Sequence, residues 1–343
     1  MNQVLNAFVS VIIVNWNGRE WLKDCLDSLS LQTHRNFEII LVDNASTDDS
    51  IDFVSKYYPN VIIVETSKNL GFAGGNNLGI QRARGDFVFL LNNDTKADCS
   101  LLEILLTAFD EIPKLGAVNP RVVLMNDPSK LDNCGTYWTS STFLYHYGFG
   151  ADRESEEFDI QRPVFYNNGS AMLIRTDLLR KYGLFDEDFW CYNEEGDFCH
   201  RLWLAGYECW YYPRISVLHA KGSTSSRIDN SLVQFHNYKN RLLSYTKTFE
   251  ISNLLWIIPV HIILNTLFSF YWLLHGNFRQ FLAIQRANLW YLSNLRKTIR
   301  KRKAVQAIRV KRDRELFITV KMNPPWWQYA RKMMKLLKAG AGD

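Results

Sequence analysis

The chain has 343 residues, 47% of them hydrophobic and 14% aromatic, with a formal net charge of +5. That is enough apolar material for one α/β core of roughly 200 to 250 residues and a second unit, while six cysteines without any C-x-x-C spacing exclude a zinc site or a disulfide framework and read as reduced core residues. The charge is split: residues 296–338 hold 15 Lys and Arg against Asp313 and Glu315, and residues 1–295 are net acidic, so the tail is expected to meet lipid headgroups or nucleic acid.

In chain order, Met1 to Phe8 carry no basic n-region or cleavage site, so no secretion signal is expected. Val9 to Val14 predicts a buried strand ending in the turn Asn15-Trp16-Asn17-Gly18. Leu22, Cys25, Leu26 and Leu29 then recur at helical spacing. Phe37 to Val42 predicts a second strand, closed by Asp43; Thr47 or Asp48 can cap the next helix, whose apolar face includes Ile51 and Val54. Val61 to Val64 is a third strand, and the glycine-rich stretch Asn69 to Gly79 opens another helix. Asp86 to Asp94 is the fourth. Its apolar run, Phe87 to Leu91, reads as buried on both faces and stops abruptly at Asn92-Asn93-Asp94. This alternation of strand and helix indicates a parallel sheet with helices on its faces. In such sheets ligands bind outside the carboxyl ends of the strands. A carboxylate there, backed by two amides, can hold a hard divalent cation and through it a phosphate; a plain polar turn is the alternative.

A helix is expected from Leu101 to Phe109, and residues 117–165 look less regular. A compact block follows, Asn168 to Arg175 and Gly183 to Phe189, leading into Tyr192 to Arg201. Residues 198–205 predict a helix ending at Gly206, with a late strand from Tyr207 to Tyr212 and then Val217-Leu218-His219. Leu254 to Leu274 is strongly apolar, interrupted by Pro259, His261 and Asn265; as a helix its 21 residues would span roughly 31 Å, about a bilayer core. Residues 278–295 look amphipathic and carry Trp290 and Tyr291, and the basic tract leads to Pro324-Pro325-Trp326-Trp327 and Arg331 to Lys338.

Seven segments carry a resemblance: VSVIIVNWNG, VDNASTDDS, NLGFAGGNNLG, FVFLLNND, GLFDEDF, NEEGDFCHRLWLAGY and VLHAKGS. In this order and spacing the chain resembles a family 2 glycosyltransferase of the GT-A fold, most of all the rhamnosyltransferase-like enzymes of bacterial surface polysaccharide assembly, over roughly residues 9–245. The resemblance implies a Rossmann-like, mixed but mostly parallel sheet with helices on both faces, in a catalytic domain of residues 1–245. Residues 246–343 are expected to form a helical, basic, membrane-associating region. The implied donor is a dTDP- or UDP-sugar, dTDP-rhamnose first, and the acceptor a lipid-linked saccharide; no nucleic-acid partner is implied.

Asp43 is implied to hydrogen-bond the donor base, with Asn15, Asn69, Gly71, Asn76, Asn92 and Asn93 around the donor nucleotide. The Asn69–Gly79 stretch lacks the dinucleotide G-x-G-x-x-G spacing. Asn92-Asn93-Asp94 stands at the D-x-D position, with Asn92 replacing the first acid; Asp94 is the implied ligand of Mg²⁺ or Mn²⁺, and His219 either completes that site or is structural. Glu194-Glu195 stands where the family keeps its catalytic base. Glu195 takes that place, the reverse assignment to Glu194 stays open, and an acidic helix start is the plain reading. Asp186, Glu187, Asp197 and Arg201 are placed on the acceptor side, although Asp197 and Arg201 can simply pair at i, i+4.

Nucleotide sugars are cytosolic, and basic tails stay on the cytosolic side. One span cannot leave both ends there, so a peripheral or monotopic association with the cytoplasmic face is expected, as a hairpin broken near Pro259. A sugar nucleotidyltransferase would open on a glycine-rich basic loop, absent from Val11 to Gly18, and a processive synthase would carry Q-x-x-R-W. A non-enzymatic binder would explain the basic tail but not carboxylates at successive strand ends.

Overall fold

The apolar runs of the first hundred residues become strands whose polar ends gather along one edge of a sheet. The computed structural model describes residues 4–222 and 229–324; Pro325, Trp326, Trp327 and the segment Arg331 to Lys338 lie outside the described residues. The chain opens with β1 (Val9–Asn15), α1 (Arg19–Ser30), β2 (Phe37–Asp43), α2 (Ser50–Tyr57), β3 (Ile62–Glu65), α3 (Gly71–Arg82) and β4 (Phe87–Leu91). It continues with β5 (Thr95–Ala97), α4 (Leu101–Glu111), β6 (Leu115–Leu124), β7 (Leu131–Asn133), and the hairpin of β8 (Thr136–Trp138) and β9 (Leu144–His146). Then come β10 (Arg162–Val164), β11 (Ala171–Arg175), α5 (Thr176–Tyr182), α6 (Glu194–Leu204) and β12 (Glu208–His219). Five helices follow: α7 (Asn230–Thr248), α8 (Ile251–Leu274), α9 (Phe278–Ser293), α10 (Leu295–Ala307) and α11 (Asp313–Val320).

The main sheet runs β10-β12-β6-β11-β4-β1-β2-β3, with β5 and β7 pairing on β12 and β6. Strands β4, β1, β2 and β3 are parallel, and so are β6 and β12; β11 runs antiparallel between β4 and β6. All five residues of β4 are buried because the sheet is covered on both sides. Ile12, Ile40 and Leu90 pack toward α3, α5 and α6, while Val11, Ile13 and Phe89 pack toward α1, α2 and α4. This is the mixed α/β sheet expected of the GT-A fold. From β1 the chain builds out through β2 to β3 and then crosses back to β4 on the other side of β1, so β1 marks a topological switch point where a ligand crevice opens.

Three local expectations are corrected. The helix bearing the paired glutamates starts at Glu194, not at residue 198, because its N-cap is the left-handed Asn193. The stretch of residues 117–165 holds regular structure, including the ten-residue β6, whose polar Asn119 and Arg121 hid its strand character. The apolar helix α8 is not broken at Pro259 and runs for 24 residues. A proline removes one helical hydrogen bond, and Pro259 lies on the exposed side of α8.

The outer face of α8 is apolar and its inner face polar. His261, Asn265 and Ser269, one turn apart, are buried. His261 Nε2 lies 2.9 Å from Thr142 Oγ1, Asn265 donates to Asn288, and Ser269 accepts from Gln285. Leu255, Leu267 and Leu274 stand 74%, 61% and 85% exposed. A core helix would bury the leucines, so this helix is turned inside out relative to a water-facing one.

Candidate active site

The polar ends of β2, β1 and β4 form a hydrogen-bonded chain. Asn15 and Asp43 are aligned in register, and Asn15 donates to Asp43 Oδ1 at 3.3 Å and accepts from Asn93 Nδ2 at 2.7 Å. The other oxygen of Asp43 accepts from the Ser46 N–H. Above them opens a cleft of about 330 Å³, walled by Trp16, Asn44, Asn69, Gly71, Phe72, Asn92, Asn93, Asp94, Trp190, Glu194, Glu195 and His219 among others.

Most of the expected residues therefore converge, but not all. Asn15, Asp43 and Asn76 lie one layer behind the wall: Asp43 is 1% exposed, and Asn76 is spent on the Phe72 carbonyl. Asn44, not among the expected site residues, takes the wall position and bonds Asn69, the Gly71 carbonyl and the Leu70 N–H. Gly71 sits at φ +71°, where a Cβ would come within 2.3 Å of the Trp190 carbonyl. Only glycine admits that approach.

On one side of the cleft, Asp94 Oδ1 lies 3.3 Å from His219 Nε2. His219 Nδ1 lies 2.8 Å from Asp132 Oδ2, and Lys221 holds the other oxygen of Asp132. Burial works against charge on His219, but the bonds to Asp132 and Asp94 override it and lift its pKa to about 9. Two buried carboxylates thus make this a place that favours a cation. In this state both ring nitrogens donate, Nδ1 to Asp132 and Nε2 to Asp94; a cation seated beside Asp94 would displace the Nε2 proton, while Asp132 would keep the Nδ1 proton and fix the tautomer that offers Nε2 as a ligand. Among the described residues no three His, Cys, Asp or Glu side chains close a complete metal cage. The donor set is one carboxylate and one imidazole, open to the cleft, which fits an ion that shares its shell with ligand oxygens. Asp132 lay in the stretch read as irregular, and a three-residue strand carries no pattern that would have singled it out.

Glu194 and Glu195, in the first turn of α6, line the same cleft. Burial pushes both carboxyls up, Glu195 to about 7, against the pull of the helix N–H groups and the Gly169 N–H. Glu194 is 3% exposed and has the Tyr192 N–H. Glu195 is the less buried of the two, both side chains line the cleft, and the Oε2 of each is buried without a hydrogen-bond partner among the described residues. A carboxylate of raised pKa with a free oxygen can take a proton near neutral pH.

The four residues expected on the acceptor side are not in the cleft wall. Asp197 and Arg201 pair at 3.2 Å on the far side of α6, and Arg201 also donates to the carbonyls of Tyr182, Gly183 and Leu184. Lys247 bridges Asp186 at 2.7 Å and Asp197 at 2.8 Å. Burial alone would raise Asp186, but Lys247 and Lys301 hold it well below the usual carboxylate range. Glu187 accepts from Asn77. These side chains brace the loop behind the cleft.

The model of glycosyl transferase family 2 matches residues 10–183. The chain belongs to this family. The match takes in β1 to β4 and Asp94, while Glu194, Glu195 and His219 lie beyond it. This family 2 glycosyltransferase is 28% identical over 255 residues to an N-acetylglucosaminyl-diphospho-decaprenol L-rhamnosyltransferase of Mycobacterium tuberculosis, covering 66% of this chain and 80% of that one. It is 23% identical to the low-salt glycan biosynthesis hexosyltransferase Agl10 of Haloferax volcanii, covering 73% and 79%. Residues 1–349 of S. aureus TarS share the fold with a TM-score of 0.52 at 16% identity, covering 88% of this chain and 90% of that one. GalNAc-T7, solved with UDP, GalNAc and Mn²⁺, gives a TM-score of 0.56 at 16% identity; the likeness covers 70% of this chain and about half, 48%, of that one.

Proposed function

We propose that this glycosyltransferase moves a sugar, with inversion at the anomeric carbon, from a nucleoside-diphosphate donor to a lipid-linked saccharide at the cytoplasmic membrane face. The observation that carries the reading is that Asp94, His219, Glu194 and Glu195 line one cleft at the switch point of the sheet. Asp94 and His219 would hold Mg²⁺ or Mn²⁺, which when bound stabilises charge on a diphosphate leaving group. Asn44, Asn69, Asn92, Asn93 and the Gly71 backbone line the donor side, with Asp43 and Asn15 fixing Asn93 from behind. Glu195 takes the proton of the acceptor hydroxyl as that oxygen attacks the anomeric carbon; Glu194, deeper and bonded to the loop, holds the helix start. No protein nucleophile is needed, so the reaction is a single displacement. The name of the Mycobacterium tuberculosis relative supports a rhamnose donor and a polyprenyl-diphosphate-linked acceptor. Proton NMR of freshly formed product checks the stereochemistry: inversion is expected, and retention would overturn the mechanism.

Asp132→Asn is expected to weaken Mn²⁺ affinity in the presence of UDP by about 10- to 100-fold, because His219 loses the partner that fixes its tautomer. Mn²⁺ electron paramagnetic resonance measures it, and an unchanged affinity would remove Asp132 and His219 from the site.

The catalytic unit, residues 1–245, is proposed to meet the membrane through residues 246–343. Residues 251–312 hold 11 Lys and Arg and no Asp or Glu, beside the outward leucines of α8. An apolar helix face in a segment rich in Lys and Arg fits an anionic bilayer surface, although Lys297 and Lys301 pair with Asp188 and Asp186. Each fully buried leucine is worth about 1.5–3 kcal/mol. The triple change Leu255→Glu, Leu267→Glu and Leu274→Glu is therefore expected to cut partition onto vesicles containing phosphatidylglycerol by at least about tenfold. The positions are exposed, so the unfolding temperature should hold. Undiminished co-sedimentation would show that α8 is not the anchor.

A further inference from the structure

The segment between the short 3-10 turn at Glu187–Phe189 and helix α6 is strained. Trp190, Tyr192 and Asn193 all have positive φ, at 62°, 71° and 70°, a region that costs non-glycine residues free energy unless neighbours over-determine it. This segment walls the cleft with Trp190, Cys191 and Tyr192 and delivers Glu194 and Glu195.

What over-determines it is one face of α7. Asn240 is fully buried, and the two N–H groups of its Nδ2 are shared among three carbonyls of this segment: Phe189 at 2.9 Å, Cys191 at 2.7 Å and Tyr192 at 2.7 Å. Its Oδ1 finds no hydrogen-bond donor among the described residues, so the amide is held there for its N–H groups alone. One turn earlier, His236 donates from Nδ1 to the Phe189 carbonyl at 3.0 Å and stacks on Trp190 with ring centroids 5.0 Å apart. Lys239 donates to the Asp188 carbonyl. Three carbonyls converging on one buried amide is more than the burial of a core helix requires. Apolar residues would pack such a face without the cost of burying polar groups.

We infer that Asn240, with His236, is a positioning residue: it fixes the 189–193 backbone in its left-handed path and thereby aims the α6 glutamates at the acceptor. The inference rests on the reading of Glu195 as base, and neither Asn240 nor His236 touches the reacting groups. It also ties the cleft to the C-terminal helices, because α7 packs on α9 and α10 with Lys239 over the Trp290 ring and Thr246 against the Tyr291 hydroxyl.

The test compares Asn240→Ala and His236→Phe in the full chain with Glu195→Gln. Displacing a reacting group by about 1 Å can cost about 100-fold in rate. Asn240→Ala is expected to lose about 100-fold in kcat, while the Kd for UDP with Mn²⁺ stays within about threefold, the split expected of a group acting on the base rather than the donor. A residue that only stabilised the fold would lower the unfolding temperature and leave kcat of the folded protein intact, and that result would overturn the inference. Should Asn240→Ala fail to fold, His236→Phe decides, since it keeps the ring on Trp190 and removes one hydrogen bond. A kcat loss of about tenfold with UDP affinity retained supports positioning, and a wild-type kcat contradicts it. Full activity in Glu195→Gln would sink the base assignment instead; the Asn240 comparison then reads whether the segment positions Glu194.

Discussion

Glu195→Gln is expected to bind donor and metal nearly as wild type does, yet to lose transfer by at least about 100-fold. The amide keeps the size and the Gly169 contact but has no basic lone pair to take the hydroxyl proton. Glu194→Gln should be milder, since Glu194 is the more deeply buried of the two and is held by the Tyr192 N–H. A dead Glu194→Gln beside an active Glu195→Gln would move the base by one residue, and full activity in both would remove the mechanism. The pH dependence follows the same group. With the Glu195 pKa at about 7, wild-type kcat/KM should rise with pH up to that value and then level off. Stability runs the opposite way. The unfolded carboxyl ionises at about pH 4.3, so the cost of burying it as a carboxylate grows from there and is complete above about 7. Glu195→Gln, which carries no such cost, should unfold at a higher temperature than wild type at pH 8 and lose that advantage near pH 4. Equal unfolding temperatures at pH 8 would mean that Glu195 is better solvated than its place in the cleft implies.

Asp94→Asn is expected to abolish the metal-stimulated part of UDP binding, weakening Mn²⁺ by at least about 100-fold, the upper end of what loss of a supporting partner costs. The substitution leaves β4 and its neighbours packed as before, so the fold should survive. Calorimetric titration of UDP with and without Mn²⁺ separates the two contributions. If the variant binds UDP with wild-type metal dependence, the ion is held elsewhere.

The donor half of the site was legible because its signals are local. Phe87 to Leu91 is an unbroken apolar run, and the amides and carboxylate that follow could only fall at a strand end. Asp94, Asn92, Asn93, Asn69 and Gly71 accordingly line the cleft. Asp132 was invisible because a three-residue strand carries no periodicity, and its meaning comes from His219, 87 positions away. Asp186, Asp197 and Arg201 share segments with the glutamates, and the sequence placed them beside the acceptor. A helix turns by 100° per residue, however, and Asp197 and Arg201 face Lys247 and the backbone behind the cleft. In α8, His261 and Asn265 read as interruptions of an apolar run. They are its packing face, and the hydropathy of the helix belongs to its outside. Lys247 and Asn240 stood in a stretch of mixed residues whose partners, the carbonyls and carboxylates of residues 186–197, come from a distant loop.

Release of nucleoside diphosphate tests the central claim most directly. The chain of 343 residues is incubated with dTDP-rhamnose, UDP-hexoses and GDP-mannose in turn, with Mn²⁺ or with chelator, with and without a polyprenyl-diphosphate-linked saccharide. The account predicts release of dTDP or UDP that needs Mn²⁺, rises with the lipid-linked acceptor and disappears in Asp94→Asn. Release from a donor that is indifferent to chelator and to Asp94, or no binding and no release with any donor while the protein is folded, would contradict it.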